Sequence, residues 1–176
     1  VDRVGSDVSG YRVGDRLLTS TGHTSHACLD ASEPPGGSVW RLPEQGAAHR
    51  LVLARMAKTA ATAVARAGET FTQSVVVVGL GIVGQVALRL FQAAGAWPII
   101  GVDPVEFRRQ AAVRGGAAAG VDPTAGDAAA RVRDLLPGGA DIVVDATGWA
   151  SALPGILPLA REAGTVVVVG GPRGAA

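Results

Sequence analysis

From Ser74 onward, apolar and polar positions alternate between short apolar runs and longer stretches of helical period. That alternation is the pattern of βαβ units on a parallel sheet, whose strands are sealed on both faces and read as near-continuous valine and isoleucine. The runs predict strands at Val75 to Val78, Ile99 to Val102, about Ala118 to Val121, Ile142 to Asp145 and Thr165 to Val169. The intervening segments predict helices over Ile82 to Ala94, about Val105 to Arg114, from an Asp127 cap through Leu136, and about Ala150 to Arg161. Gly95, the pair Gly115 and Gly116, and the turn Pro137, Gly138, Gly139 supply the stops between them.

Right-handed crossovers with a reversal after the third strand predict the spatial order 3-2-1-4-5, an α/β, doubly wound Rossmann sheet. A complete sheet of this kind has a sixth strand, and the chain stops before one could form. The segment from Val1 to about Val39 is different in kind. Its short apolar pieces, glycines, serines and turn signals such as "GDR" predict irregular β structure. Glu44 to Ala67 predicts helix, with Leu51, Ala54, Ala57 and Ala61 along one side, and the boundary between the two regions is expected near Pro43. A start at Val1 and a stop at "GGPRGAA", just after a strand-like run, lead us to expect a fragment.

Composition sharpens this picture in a few respects. The chain has 176 residues, long enough for one full domain and a piece of another. Its 25 glycines suit many tight βα corners. A net charge of +1 and scattered arginines give no electrostatic case for nucleic acid. Cys28 is the only cysteine, which excludes a disulfide framework and makes a reducing cytoplasm the expected setting. No apolar run approaches the ~20 residues of a membrane helix, so no membrane partner is expected.

The candidate chemistry centres on "SVVVVGLGIVG", Ser74 to Gly84. Gly79, Gly81 and Gly84 match the dinucleotide fingerprint G-x-G-x-x-G, with Leu80, Ile82 and Val83 between them. Gly79 permits the sharp turn out of the strand, Gly81 has no side chain to hold a pyrophosphate away from the backbone, and Gly84 lets the helix sit close on the sheet. The helix N-terminus offers free N–H groups to phosphate. Asp103 stands 19 residues past Gly84, at the tip of "IIGVD", where a carboxylate accepts from the hydroxyls of the adenosine ribose. The same carboxylate repels the 2′-phosphate of NADP, so NAD is favoured over NADP. Arg108 and Arg109 weigh the other way, because a guanidinium could reach such a phosphate. The alternative is a tight structural corner with no ligand.

By the rule that ligands sit at the carboxyl ends of the strands, Thr147 and Gly148 are expected to wall the adenosine end, with Val169 and Gly170 facing the nicotinamide. His23, His26 and Cys28 superficially resemble a metal cluster, but the segment is short and turn-like, and no metal site is expected there. No Ser/His/Asp or Cys/His arrangement is evident, and Tyr11, the sole tyrosine, has no Tyr-x-x-x-Lys partner. The catalytic residues are therefore unassigned.

Taken together, "VGSDVSGYRVGDRLL", "RLPEQ", "ARMAKTAATAV", "VVVVGLGIVGQVALRLFQAAGA", "GVDPVEFRRQAAVRGGA", "GGADIVVDATG" and "REAGTVVVVGG" resemble the medium-chain dehydrogenase/reductase superfamily, the alcohol dehydrogenase-like enzymes. The resemblance implies that residues 1–43 are the tail of a β-rich, GroES-like catalytic domain. It makes residues 44–176 an NAD-binding Rossmann domain cut off before its last strand. It implies Thr59 near the nicotinamide, Val83 behind the ring, and Arg108 on the adenosine ribose. The superfamily's third zinc ligand would fall at Arg55, which cannot ligate a metal, so zinc is not expected from this segment and a zinc-independent or divergent branch is implied. The function implied is hydride transfer between nicotinamide and a small-molecule alcohol or carbonyl substrate, with a homodimer in the full-length form. A non-catalytic NAD(H)-sensing module and a methyltransferase using S-adenosylmethionine stand as alternatives.

Overall fold

The computed structural model describes residues 1–31 and 39–171. The chain divides into two compact units, Val1–Arg55 and Met56–Ala176, a division that falls beyond Pro43.

In the first unit, β1 (Leu17–Thr19) pairs antiparallel with β2 (Val39–Arg41), Leu18 opposite Trp40. Arg41 ties this small sheet to the preceding loop. Its guanidinium donates to the Gly10 carbonyl and to Asp15 Oδ2 (2.8 Å) and lies 5.4 Å from the centre of the Tyr11 ring. Outside β1 and β2, the described part of Val1 to Val39 is turn and loop; residues 32–38, which the irregular β reading also covers, lie outside the described residues.

The predicted helix over Glu44 to Ala67 is two helices, α1 (Ala48–Leu51) and α2 (Leu53–Ala67). Its buried face also differs from the expected one. Ala60, Ala63 and Ala67 are buried, while Ala54 and Ala61 are exposed. Alanine occurs on every side of this helix, so periodicity alone could not choose the face.

The second unit carries five parallel strands: β3 (Val75–Val78), β4 (Ile99–Val102), β5 (Ala119–Val121), β6 (Ala140–Asp145) and β7 (Ala160–Val168), in the spatial order β5-β4-β3-β6-β7. This is the predicted 3-2-1-4-5 order of a Rossmann sheet. Both faces are covered. Val75 and Val77 point into one core with Ala63 of α2, Leu88 and Phe91 of α3 (Ile82–Ala93) and Ala112 of α4 (Glu106–Arg114). Val76 and Val78 point into the other, with Val132 of α5 (Ala128–Leu135), Ile156 and Leu159. The four valines of β3 are all buried because alternate residues serve opposite cores.

The glycine in β5 has a packing reason. A Cβ on Gly120 would lie 2.8 Å from Arg109 Cβ, so glycine there lets α4 settle close against the sheet. The end of the chain departs from expectation. In place of one helix from Ala150 to Arg161 there is a 3₁₀ turn (Ala150–Ala152), a single α turn, α6 (Leu153–Ile156), and a second 3₁₀ turn (Leu157–Leu159). Pro154 and Pro158 each lack the N–H a continuous helix needs, and a proline ring clashes with the carbonyl of the preceding turn. β7 accordingly begins at Ala160 rather than Thr165. Its pairing with β6 shifts register between Ala140 and Ile142, where residues 161–164 bulge out and Ala163 adopts φ 57°. Among the described residues, no helix is long and apolar enough to cross a membrane.

Candidate dinucleotide site

The reversal of strand order puts the switch point between β3 and β6, with the carboxyl ends of β4, β3, β6 and β7 along one edge. Parallel pairing continues past the strand ends, Gly79 N–H donating to Val102 O (2.8 Å) and Ala146 N–H to Val78 O (2.8 Å). The glycine corner and the turn after β6 are therefore held side by side.

The three fingerprint glycines meet different demands. Gly79 has φ 86°, and a Cβ there would lie 2.8 Å from Thr147 N and 2.9 Å from the Ala146 carbonyl. A Cβ on Gly84 would lie 1.9 Å from Gly79 O. The fold itself requires both. Gly81 has an ordinary extended conformation, φ −68° and ψ −169°, and its Cβ would meet no atom within 4 Å. Among the described residues, nothing requires glycine at that position. Gly81 is also the N-cap of α3, which has no side-chain cap and no acidic residue in its first turn. By contrast, α5 is capped by Asp127, whose Oδ1 accepts from Ala130 N–H (3.0 Å), and α4 has Glu106 in its first turn. The positive end of α3 is left open over a spot cleared of side chains, a cradle that fits a pyrophosphate.

Asp103 closes β4 and is 2% exposed. Its Oδ2 accepts from Leu80 N–H and its Oδ1 from Val105 N–H, both at 2.8 Å, with Arg108 Nη1 3.5 Å from Oδ2. The carboxylate thus fastens the glycine corner to the start of α4, a role sequence spacing did not reveal. Leu80, between the first two glycines, is 1% exposed, and Gly101 makes room for it: a Cβ there would lie 2.9 Å from Leu80 Cδ1. Ile82 is exposed at the head of α3. Arg109 is committed elsewhere, donating to Asp103 O (2.7 Å) and Pro104 O (2.8 Å) and pairing with Asp122 at 3.1 Å. Hydrogen bonds from the Thr124 hydroxyl and N–H, and then the nearby Arg109 charge, hold the Asp122 carboxyl below its usual range.

Beyond the switch point lies a cleft of about 280 Å³, lined by Val83, the turn Ala146–Trp149 and Val169–Gly171. Expectation divided Thr147 and Gly148 from Val169 and Gly170; the structure brings all four into this one cleft with Val83. The backbones meet closely, since a Cβ on Gly170 would lie 2.5 Å from Gly148 N. Thr59, on α2 and partly buried, is not among the lining residues. Trp149, Ala146 and Gly171 were not singled out from the sequence; their signal was adjacency to the ends of β6 and β7. Among the described residues, no three His, Cys, Asp or Glu side chains stand together as a metal site would need.

A family model described as zinc-binding dehydrogenase matches residues 83–176. The chain belongs to the zinc-binding dehydrogenase family. This places it within the alcohol dehydrogenase-like superfamily that its motifs resemble. D-guloside 3-dehydrogenase of Escherichia coli (strain K12) is 33% identical over 172 residues, covering 94% of this chain and 47% of the relative. The chain therefore spans about half the length of the curated relatives it matches. Among solved structures, alcohol dehydrogenase TADH from Thermus sp. ATN1 has a TM-score of 0.72 at 28% identity, over 79% of this chain and 41% of that one. A Sinorhizobium meliloti 1021 protein solved with NADP bound has a TM-score of 0.69 at 29% identity, over 79% and 42%. Family membership and the Rossmann sheet together support an oxidoreductase fold that holds a nicotinamide cofactor.

Proposed function

We propose that this chain is the cofactor-binding part of an NAD-dependent oxidoreductase that moves a hydride between the nicotinamide ring and an alcohol or carbonyl carbon. The observation that carries this reading is Gly81, a glycine the protein does not need, beside a helix N-terminus it leaves uncapped. When bound, the cofactor supplies the hydride chemistry, and the protein supplies position and electrostatics. Gly81 and the first N–H groups of α3 receive the pyrophosphate. Asp103 holds Leu80 and Val105 in place and has lone pairs left for a ribose hydroxyl once Arg108 turns aside, since a carboxylate offers about four acceptor sites. Val83, Thr147, Gly148, Val169 and Gly170 wall the space beyond the switch point.

The reading favours NAD over NADP because a carboxylate at Asp103, beside the glycine corner, would repel a 2′-phosphate on the adenosine ribose. Of the two guanidiniums that weigh toward NADP, Arg109 already holds two carbonyls and Asp122, which leaves the half-exposed Arg108 as the one group able to offset that repulsion. At the position that the resemblance gives to a third zinc ligand stands Arg55, a cation that cannot ligate a metal, so no zinc is expected from this segment. Calorimetric titration of the chain with NADH, NADPH and S-adenosylmethionine tests the proposal. NADH should bind more tightly than NADPH, and S-adenosylmethionine should not bind. Binding of S-adenosylmethionine without NADH would overturn it.

A further inference from the structure

Trp149 is 61% exposed and is one of the residues lining the cleft beyond the switch point. Leaving an indole in water forgoes one of the largest apolar burials any side chain can make. Its backbone is nevertheless held firmly. Asp145, 4% exposed, accepts through Oδ1 from both Thr147 N–H (2.8 Å) and Thr147 Oγ1–H (2.7 Å), and Thr147 Oγ1 in turn accepts from Trp149 N–H (3.1 Å). Gly148, at φ 70°, completes the turn. Gly148, Gly170 and Gly171, which carry no side chains, line the same cleft, and Trp149 is the only aromatic among the lining residues. At about 280 Å³ the cleft lies just below the usual range of ligand pockets, ~300–1,000 Å³, which suits one flat ring and not a whole dinucleotide.

We propose that Trp149 is the stacking wall for a planar base of the bound dinucleotide, and that Thr147 is the positioning residue that presents it. The inference rests on the dinucleotide reading above. An aromatic face stacks on any base, which gives an exposed indole on a hydrogen-bonded turn beside a glycine-lined cleft a ligand to cover it.

Calorimetry on the chain with NADH, ADP-ribose and nicotinamide mononucleotide provides the test. Trp149→Ala should weaken NADH about tenfold and Trp149→Phe should restore it to within about threefold, as stacking on any aromatic ring predicts. The loss should follow ADP-ribose if adenine is the stacked ring, or the mononucleotide if nicotinamide is. Thr147→Val should share the loss, Thr147→Ser should not, and the Thr147→Val, Trp149→Ala double variant should lose no more than Trp149→Ala alone. In a variant with Trp40→Phe and Trp97→Phe, NADH should quench the remaining Trp149 emission, a reading that does not require the alanine variant to fold. NADH binding unchanged in Trp149→Ala, no recovery in Trp149→Phe, or unquenched Trp149 emission with NADH bound would overturn the inference. Wild-type chain that binds no NADH would instead refute the dinucleotide reading itself.

Discussion

Replacing Gly81 by alanine separates what the fold needs from what the ligand needs. A methyl at Gly81 meets no atom within 4 Å, and φ −68° suits alanine. Two small effects on stability oppose each other. Alanine removes unfolded-state freedom, worth roughly 0.4–1 kcal/mol. It is also a poorer N-cap than glycine, a difference of similar size. The net change in unfolding free energy should therefore lie within about 1 kcal/mol of zero. Binding should respond quite differently. The methyl projects into the space where phosphate oxygens must approach the backbone, and a lost hydrogen bond to a charged group costs about 1.5–3 kcal/mol. NADH affinity should fall roughly tenfold to a hundredfold.

Gly84→Ala supplies the contrast, because its methyl would lie 1.9 Å from Gly79 O and the backbone must move. That strain should cost about 1–3 kcal/mol or more in stability, with binding lost as a consequence. Urea unfolding and calorimetric titration on both variants provide the two readouts. Gly81→Ala that binds NADH as tightly as the wild type would refute the assignment of Gly81 to the ligand. A large loss of stability in Gly81→Ala would refute the claim that the protein does not need this glycine.

Three other outcomes follow from the packing. Asp141 accepts from Ser74 N–H (2.8 Å), Ser74 Oγ–H (2.6 Å) and Arg161 Nε–H (2.5 Å). Burial alone would raise its pKa, but the Ser74 and Arg161 hydrogen bonds and the Arg161 charge together outweigh it and leave the pKa lowered. The stability this carboxylate contributes is therefore full above the unfolded value of about 3.9 and is lost as pH falls through the lower folded value. Urea midpoints should drop below about pH 4, and Asp141→Asn should blunt that drop. Gly120→Val should destabilise by about 1–3 kcal/mol in urea unfolding, because its side chain would run into Arg109. Leu88→Ala, fully buried in the core on the α3 face, should cost about 2–5 kcal/mol and lower the melting temperature.

Local pattern was enough to read β3 and β4 to the residue, the Asp127 cap and the glycine corner, because each rests on neighbours within one strand, helix or turn, and the handedness of βαβ crossovers then gave the strand order. Local pattern failed where two partners distant in sequence decide the outcome. Alanines on every side of α2 offered no preferred face until the sheet chose Ala60, Ala63 and Ala67. The last helix is a different case: Pro154 and Pro158, local breakers within the segment, interrupt it where apolar period continues. The sequence by itself determined that a strand, a three-glycine turn and a helix would meet near an acid. Only the tertiary structure decided that this acid holds Leu80 and Val105, that Arg109 is committed to Asp122, and that Trp149 stands at the cleft. Those outcomes depend on hydrogen bonds and packing across the strand ends, which no single segment of the chain encodes.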